Sequence, residues 1–404
     1  MMQPVEISPD IYWIGVNDRK TDLFEGLWSI VKEGVSYNSY LIKDEKSVII
    51  DLTKEIFTDD FLQQIKSQTD IQKIDYIVIN HVEPDHASSV NKIRALMPDA
   101  VILCTERARK MLISFYGMEE NIQAVEDGQI ISLGKHRLQF FYTPNVHWPE
   151  TMMTYEPDQQ ILFSCDAFGG YKTLNGSIFD DDRQDLDDYI AEALRYYANI
   201  VANHSNSVRK ALTKLGNTPI KMVAPSHGLV WRKDPARIVK LYQTWAEYGD
   251  NGGELAITVL RGSMYGNTNR FLDEVLEGIK EVGVPYEIFD VARDQIGYIL
   301  PALWHNKGVL VSAPTYEAAL FPPMTSVLQM AIQKKAFHKR VARVGSYGWA
   351  GGAHRTFESL LNDLRWEVVD SFEFVGVPKA GDLIRGRDFG IHFANRVMLA
   401  QPVQ

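Results

Sequence analysis

Cysteine is scarce in this chain of 404 residues. Only Cys104 and Cys165 occur, far apart in the sequence and without a C-x-x-C pair. This scarcity excludes a disulfide scaffold, a four-cysteine iron–sulfur cluster and a four-cysteine mononuclear iron site within the chain. Any metal that the chain binds must therefore be held by His, Asp and Glu side chains.

Long apolar runs and an excess of basic residues are also missing. No uninterrupted apolar run reaches the roughly 18 residues that a membrane-spanning helix needs. The segment Met1–Glu6 lacks the basic and apolar pattern of a secretory signal, so we expect a cytoplasmic protein. The formal net charge of −10 argues against sequence-independent binding to nucleic acid. With 45% apolar and 23% charged residues, the composition is typical of a globular protein.

The length and the pattern of the chain predict two domains. The glycine-rich stretch Tyr248–Gly253 precedes a strand-like run, Leu255–Leu260, and predicts a division into residues 1–252 and 253–404. Short apolar runs alternate with helical patterns in the first part, which indicates mixed sheets covered by helices. In the second part, apolar strands alternate regularly with helices, which predicts a doubly wound parallel sheet.

Residues able to bind metal follow four predicted strands of the first part. The segment His81-Val82-Glu83-Pro84-Asp85-His86 comes directly after the strand-like Tyr76–Ile79 and holds four candidate ligands. Three more candidates each follow a further apolar strand: His147, Asp166 and His227. A single histidine after a strand is more often structural, and we interpret the other six histidines in that way. Seven candidates at four strand ends predict a metal site.

The types of ligand constrain the metal. Four histidines and three carboxylates, with no thiolate, form a borderline-to-hard set, and carboxylates can bridge two ions. If Asp166 bridges and a hydroxide is shared, three carboxylates and one hydroxide give a ligand charge of −4. Two ferrous ions would neutralise this charge, and two ferric ions would leave +2. We therefore hypothesise a two-metal site that can store electrons without a costly buried charge in its reduced state.

A second motif predicts a phosphate-binding loop. The residues Ser263, Met264, Tyr265, Gly266, Asn267 and Thr268 lie between a predicted strand and a predicted helix. Hydroxyl groups and free backbone amides at a helix N-terminus can bind a phosphate. No lysine follows the glycine, so the loop is not of the type that binds nucleoside triphosphates. It suits a monophosphate such as FMN, while an ordinary capped helix start remains the alternative.

Two later loops follow neighbouring strands of the same predicted sheet. The first contains Pro314, Thr315 and Tyr316, and the second contains Ser346, Tyr347, Gly348, Trp349 and Gly351. Aromatic side chains in these loops could contact a flat ring, and the glycines let backbone amides approach its polar edge. Such aromatic residues can also be simple lids over a core. All three loops should meet at one edge of the sheet and form an FMN site.

The metal motif resembles that of a known family. The H-x-E-x-D-H segment is similar to the H-x-H-x-D-H motif of the metallo-β-lactamase fold, with Glu83 in place of the second histidine. Together with the later ligands, it resembles the flavodiiron proteins, also called A-type flavoproteins. The resemblance implies an α/β chain, with a metallo-β-lactamase-like αβ/βα sandwich followed by a flavodoxin-like domain. It also implies one iron held by His81, Glu83 and His147, and another held by Asp85, His86 and His227, with Asp166 bridging.

The same resemblance implies an activity and partners. Relatives reduce dioxygen to water, or nitric oxide to nitrous oxide, at an oxo- or hydroxo-bridged non-haem diiron site with electrons from FMN. They form head-to-tail homodimers or homotetramers and take electrons from an external rubredoxin or, in methanogens, from reduced deazaflavin. In some relatives the residue matching His86 lies off the metal. Several relatives carry a histidine at the position of Glu25, so a role for that histidine does not transfer.

Two other functions remain open from the sequence. A dizinc metallo-hydrolase would use the same first domain, although Glu83 disfavours zinc and a hydrolase has no need of FMN. An electron carrier would use the flavodoxin-like domain alone and leave the metal site without a role. Metal analysis separates these alternatives, because two irons per chain indicate the oxidoreductase and two zincs the hydrolase.

Overall fold

The computed structural model describes residues 3–399, and the chain divides into two compact units between Gln243 and Thr244. The division falls within a helix over Pro235–Asn251. The predicted limit between residues 252 and 253 comes just after this helix, at a glycine pair with φ of 81° and 100°. A Cβ atom on Gly252 would lie 2.3 Å from the carbonyl oxygen of His338, so this turn requires glycine. The limits of the functional domains stay a prediction.

The N-terminal unit contains two main β-sheets. In chain order its strands are β1 (Val5–Ser8), β2 (Ile11–Trp13), β3 (Val16–Asp18), β4 (Leu23–Phe24), β5 (Trp28–Ser29), β6 (Val35–Tyr37), β7 (Tyr40–Ile42), β8 (Ser47–Ile50), β9 (Ile74–Val78), β10 (Val101–Cys104), β11 (Ile122–Ala124), β12 (Ile130–Ser132), β13 (Arg137–Tyr142), β14 (Met152–Glu156), β15 (Ile161–Cys165) and β16 (Met222–Pro225). One sheet has the order β1-β2-β7-β8-β9-β10-β11, and the other has the order β12-β13-β14-β15-β16. The pairs β3–β6 and β4–β5 form two small ribbons.

Helices cover these sheets. They are α1 (Thr58–Gln68), α2 (Pro84–Ala87), α3 (Val90–Leu96), α4 (Glu106–Tyr116), α5 (Leu186–Tyr196), α6 (Ser205–Leu215) and α7 (Pro235–Asn251). In α1, Phe61 and Ile65 recur at helical spacing and are fully buried in the core of the seven-stranded sheet. Helix α4 begins where Thr105 accepts a hydrogen bond from the backbone of Ala108, and it ends at Gly117 with φ of 65°.

Both cysteines lie within strands of this unit. Cys104 ends β10 and Cys165 ends β15, with exposed fractions of 0% and 2%. Both are free thiols. Burial raises the pKa of Cys104 to about 12.

The C-terminal unit is a parallel sheet between two layers of helices. Its strands are β17 (Glu254–Arg261), β18 (Tyr286–Asp290), β19 (Asn306–Ser312), β20 (Thr315–Tyr316), β21 (Ala319–Leu320), β22 (Arg340–Tyr347) and β23 (Glu367–Val375). Its helices are α8 (Asn267–Val282), α9 (Ile296–His305), α10 (Pro322–Gln333), α11 (Ala353–Leu364) and α12 (Ala380–Met398). The five main strands have the order β18-β17-β19-β22-β23, and all four pairings are parallel.

Helices α8 and α12 pack closely on one face of this sheet. A Cβ atom on Gly390 would lie 2.0 Å from the carbonyl oxygen of Val275, and one on Gly278 would lie 2.1 Å from that of Arg387. Glycine at these positions therefore lets the two backbones approach. Across residues 3–399, no helix is both long and apolar enough to cross a bilayer.

A candidate metal centre and a candidate flavin pocket

The seven predicted ligands lie at the ends of strands, as the sequence pattern implies. His81 and Glu83 follow β9, and Asp85 and His86 lie in the short helix α2 that comes next. His147 follows β13, Asp166 directly follows β15, and His227 follows β16. The structure gathers them into two groups whose ligand atoms lie within 4.8 Å of one another: His81, Glu83, His147 and Asp166 in the first, and Asp85, His86 and His227 in the second.

The first group surrounds one carboxylate oxygen of Asp166. The Oδ2 atom of Asp166 lies 3.4 Å from Nε2 of His81 and 3.3 Å from Nε2 of His147. The Oε2 atom of Glu83 lies 3.1 Å and 3.0 Å from the same two nitrogens. Two imidazole nitrogens and two carboxylate oxygens therefore face one small space.

The second group faces the other oxygen of the same carboxylate. The Oδ1 atom of Asp166 lies 3.0 Å from Nε2 of His86 and 3.3 Å from Nε2 of His227. Asp85 approaches both histidines, with Oδ1 3.3 Å from Nε2 of His86 and Oδ2 3.4 Å from Nε2 of His227. Asp166 thus offers one oxygen to each group, which is the arrangement of a carboxylate that bridges two metal ions.

Unpartnered polar atoms mark this site. Both carboxylate oxygens of Asp85 and of Asp166, and the Nε2 atoms of His86 and His227, are buried without a hydrogen-bond partner among residues 3–399. Buried polar atoms in folded proteins are nearly always satisfied. Since these atoms point toward one another, a cation between them would satisfy them all. The donor set therefore fits a pair of metal ions.

Hydrogen bonds from neighbouring segments fix two of the imidazole rings. The Nδ1 atom of His81 donates to Oε1 of Glu150 at 2.7 Å, and that of His227 donates to the carbonyl oxygen of Ser36 at 2.8 Å. Because Nδ1 is the donor in these bonds, Nε2 of each ring faces the site and is the atom that could bind a metal ion. Glu150 and Ser36 are absent from the sequence-based prediction. The only signal for Glu150 was its position three residues after His147.

Electrostatics also favour a cation here. Burial would raise the pKa of Asp166, but the charge on His86 and the close approach of His147 and His227 lower it well below its usual range. Burial lowers the pKa of His227, yet Asp166 and Asp85 raise it to about 10. When no other cation is present, the neighbouring carboxylates favour protonated rings at His81, His147 and His227. Metal binding would release those protons.

A cavity of about 670 Å³ lies where the three glycine- and hydroxyl-containing loops of the C-terminal unit meet. The loops follow β17, β19 and β22, at the carboxyl ends of the parallel strands. A volume of this size is that of a typical pocket for a small molecule or cofactor. The lining residues are Ser263, Met264, Tyr265, Asn267, Thr268, Pro314, Thr315, Tyr316, Glu317, Ala318, Ser346, Tyr347, Gly348, Trp349, Ala350 and Gly376.

Most of the predicted flavin residues line this cavity, but two do not. Gly266 and Gly351 are not among the lining residues. Gly266 instead shapes the first loop, with φ of 91° and its amide donating to Oγ of Ser263 at 3.0 Å. The sequence-based prediction did not include four lining residues: Glu317, Ala318, Ala350 and Gly376. Glu317, Ala318 and Ala350 lie next to predicted residues in the same loops, and Gly376 follows β23, where no sequence motif marks a site.

Hydroxyl groups and aromatic rings characterise the cavity. Oγ1 of Thr268 and Oγ of Ser346 lie 2.8 Å apart, so the first and third loops are joined at the start of α8. Tyr265 and Trp349 are 93% and 97% exposed and are available to contact a ring. Within the described part of the chain, no lysine or arginine lines the cavity, and Glu317 is its one charged lining residue. The donors fit a phosphate bound by hydroxyls and amides.

Glu25 occupies the position where several relatives carry histidine. Its Oε2 atom accepts a hydrogen bond from Nε1 of Trp28 at 2.9 Å. Its φ of 49° places it in the turn between β4 and β5. The neighbouring Phe24 packs edge-on against His227, with ring centroids 5.4 Å apart. The β4–β5 ribbon thus lies beside the metal centre.

Comparisons with known proteins agree with this fold and these sites. Residues 35–228 match the model of the ODP family beta lactamase. The chain is 34% identical over 402 residues to a nitric oxide reductase of Moorella thermoacetica, covering 98% of this chain and 100% of that protein. It is 35% identical to the anaerobic nitric oxide reductase flavorubredoxin of Aeromonas hydrophila, covering 97% of this chain and 79% of the relative. A flavodiiron protein from Thermotoga maritima superposes with a TM-score of 0.89 at 30% identity, with 98% of each chain covered.

Together, the fold and the two sites define a two-domain α/β protein with a metallo-β-lactamase-like sandwich and a flavodoxin-like sheet. This confirms the fold class expected from the sequence. Full-length similarity to the Moorella and Thermotoga proteins identifies the family. The chain belongs to the flavodiiron proteins.

Proposed function

We propose that this chain is an oxidoreductase that reduces dioxygen to water, nitric oxide to nitrous oxide, or both. The observation that carries the proposal is that the two carboxylate oxygens of Asp166 face different groups of ligands. Oδ2 lies near His81 and His147, and Oδ1 lies near His86 and His227. A carboxylate so placed holds two metal ions close together. The nitric oxide reductase named among the relatives supports the same reaction class.

In the proposed site, His81, Glu83 and His147 would hold one iron, and Asp85, His86 and His227 would hold the other. Asp166, which offers one oxygen to each group, would be the shared ligand. Glu150 and the carbonyl group of Ser36 keep the rings of His81 and His227 oriented. All seven ligands except Asp85 are buried, so the protein excludes bulk water from around the bound gas.

Two cofactors match the number of electrons required. When bound, FMN supplies two electrons and a diiron pair two more, enough to convert one dioxygen and four protons into two waters, or two nitric oxides and two protons into nitrous oxide and water. The hydroxyls of Ser263 and Thr268 and the amides at the start of α8 would hold the FMN phosphate. Tyr316 and Trp349 would contact the ring. We propose functional domains of 1–252 for the diiron site and 253–404 for FMN.

We further propose that the protein is cytoplasmic and works as a head-to-tail homodimer or homotetramer, with an external electron donor. The 404 residues hold two cysteines, too few for a rubredoxin-type iron site among them. That donor is a rubredoxin or a reduced deazaflavin. Sedimentation of the active enzyme as a monomer would contradict the assembly. Reduction of bound FMN by one donor and not the other would identify the electron source.

Cofactor analysis and rapid kinetics test the proposed activity. We expect about two irons and one FMN per chain, and rapid reoxidation of the reduced protein when it is mixed anaerobically with nitric oxide or with dioxygen-containing buffer. The relative rates for the two gases give the substrate preference. Two zincs per chain without flavin, together with hydrolase activity, would replace this proposal with the dizinc hydrolase.

A substitution at the bridge tests the site itself. We expect Asp166→Asn to lose most of its iron and its gas-reducing activity while it still binds FMN. The matched control is Glu156→Gln, because Glu156 is another buried carboxylate, paired with His136 at 2.9 Å, and is not among the seven candidate ligands. Retention of both irons in Asp166→Asn would refute the bridging role.

A further inference from the structure

A partly buried ion pair lies in the C-terminal unit outside the residues assigned to the flavin pocket. Arg343, on β22, is 0% exposed, and its Nη2 donates to Oε1 of Glu373 on β23 at 2.7 Å. Its Nε and Nη1 atoms are buried without a hydrogen-bond partner among residues 3–399. A guanidinium with unsatisfied donors costs folding free energy in a buried place. Packing alone therefore does not explain why an arginine is placed here.

The pair lies directly beneath the loops that form the cavity. A Cβ atom on Gly345 would lie 2.9 Å from Nη2 of Arg343 and 2.5 Å from the carbonyl oxygen of Ala313. Gly345 leads into the third loop and Ala313 into the second, so the guanidinium lies where these loops leave the sheet. Glu373 lies close to the third loop as well, since its Oε2 would be 3.8 Å from a Cβ atom on Gly351.

We propose that the Arg343–Glu373 pair sets the midpoint potential of the bound FMN. This inference rests on the proposed function, because it requires that the cavity bind FMN. Among the described residues, the cavity lining supplies no cationic side chain. The buried guanidinium is therefore a positive charge that the sheet, rather than the lining, places at the base of the loops around the cavity. Charge close to a flavin is one of the means by which proteins tune its electronics.

The two members of the pair act in opposite directions. Reduction of FMN by an external donor takes up two electrons and one proton near neutral pH, so the reduced ring gains one negative charge. Arg343 stabilises that charge and raises the potential, whereas Glu373 destabilises it and lowers the potential. Arg343 is fully buried and the side chain of Glu373 is 22% exposed, so the field of the arginine is less screened by water.

Substitution of each partner tests the proposal on the full-length holoenzyme. Glu373→Gln leaves the guanidinium uncompensated, and we expect a higher two-electron potential of bound FMN. Arg343→Met removes the positive charge, and we expect a larger shift in the opposite direction. Arg343→Lys keeps the charge and should shift less than Arg343→Met. Each tenfold change in the ratio of affinities for reduced and oxidised FMN corresponds to about 30 mV in potential.

The chain offers a matched control on the same two strands. Arg340 donates to Oε2 of Glu367 at 3.0 Å, which is another ion pair between β22 and β23. Glu367 lies six residues before Glu373, about 20 Å along the strand and away from the loops. We expect Glu367→Gln to leave the FMN potential unchanged.

The measurement is an anaerobic spectroelectrochemical titration of bound FMN with dithionite. Shifts of opposite sign in Glu373→Gln and Arg343→Met, with none in Glu367→Gln, support the proposal. Shifts of the same sign, or potentials equal to that of the unmodified protein, overturn it. If Arg343→Met does not fold, the contrast between Glu373→Gln and Glu367→Gln decides the question. A protein that binds no FMN at all would instead contradict the proposed function.

Discussion

Glu150 shows how a single residue outside the ligand set can control the metal centre. It is 1% exposed, and its Oε1 accepts hydrogen bonds from both Nδ1 of His81 and the amide of Val82, at 2.7 Å and 3.1 Å. It therefore fixes the ring of one ligand and the backbone next to it. Supporting carboxylates of this kind determine ligand orientation and basicity in metal sites.

We expect Glu150→Gln to weaken iron binding by about 10- to 100-fold, because the amide holds His81 less firmly than the carboxylate. Competition against a chelator of known iron affinity measures the change. Glu156→Gln serves as the control, since its histidine partner is not a candidate ligand. An unchanged iron affinity in Glu150→Gln would show that the orientation of His81 does not depend on this carboxylate.

Lys339 makes the stability of the protein depend on pH. Its Nζ is buried and donates to the carbonyl oxygens of Gly252 and Trp304 at 2.6 Å and 2.9 Å. Burial, with added repulsion from Lys307, lowers the pKa of Lys339 from 10.5 to about 7. Between these two values the unfolded chain binds a proton that the folded chain lacks, so this lysine makes stability rise with pH.

We expect Lys339→Met to remove this dependence, which has a maximum slope of about 1.4 kcal/mol per pH unit. Urea unfolding between pH 7 and pH 9.5 measures it as a difference from the unmodified protein. Lys280→Met should retain the full slope, because the side chain of Lys280 is 69% exposed. Equal slopes in Lys339→Met and the unmodified protein would show that Lys339 is charged when folded.

At the residue scale, the sequence predicted the seven candidate ligands because each follows an apolar strand. One of these strands, β9, lies in the first sheet and the other three lie in the second, so the ligands meet where strand ends of the two sheets come together. It could not predict Glu150, Ser36 or Arg343. Their roles depend on hydrogen bonds and on burial between segments that are distant in the sequence. Such contacts leave no local pattern.

Among the elements, the pair of helices α8 and α12 depends most visibly on glycine. Gly390 and Gly278 bring the two backbones together, and Gly386 lies beside Phe271 at the same contact. A Cβ atom on Gly381, in the first turn of α12, would instead enter open space, with no neighbouring atom of the described chain within 4 Å. One helix therefore contains glycines with opposite structural demands.

We expect Gly390→Ala to destabilise the C-terminal unit by about 1–3 kcal/mol, because the added methyl group would lie 2.0 Å from the carbonyl oxygen of Val275. Gly381→Ala, in contrast, should be neutral or stabilising by up to about 1 kcal/mol, since alanine favours a helix. Thermal unfolding of both variants measures the difference. Equal stabilities would mean that α12 can move away from α8 at little cost.

The sequence predicted the longer elements better than the short ones. The sequence predicted a helix after the phosphate-binding loop, and α8 begins within that loop, at Asn267, because its first turn is the polar segment beside the cavity. The short strands β1–β7 were not predicted. They have two to four residues each, too few to show alternation, and they form through pairing with distant partners.

On the scale of the whole molecule, each unit has its own core and its own cofactor site. One core lies under the seven-stranded sheet and contains Phe61 and Ile77, and the other lies under the parallel sheet and contains Phe271 and Leu310. A ligand that binds only the folded state stabilises the unit that holds it. Iron and FMN should therefore act on different units.

We expect calorimetry to resolve two unfolding transitions with separate ligand responses. Removal of iron should lower one transition and removal of FMN the other. A ligand at 1,000 times its Kd contributes about 4 kcal/mol, or about 10 °C in Tm for units of this size. A single transition that responds equally to both removals would contradict this assignment.

The placement of the two thiols has a consequence for a protein that handles oxygen. Cys104 and Cys165 end their strands inside the fold, and the thiol of Cys104 stays protonated at physiological pH. Oxidants attack the thiolate, and only where they can reach it. Native enzyme should thus resist alkylation by iodoacetamide. During repeated turnover in air, it should lose its iron and FMN before its two thiols are oxidised.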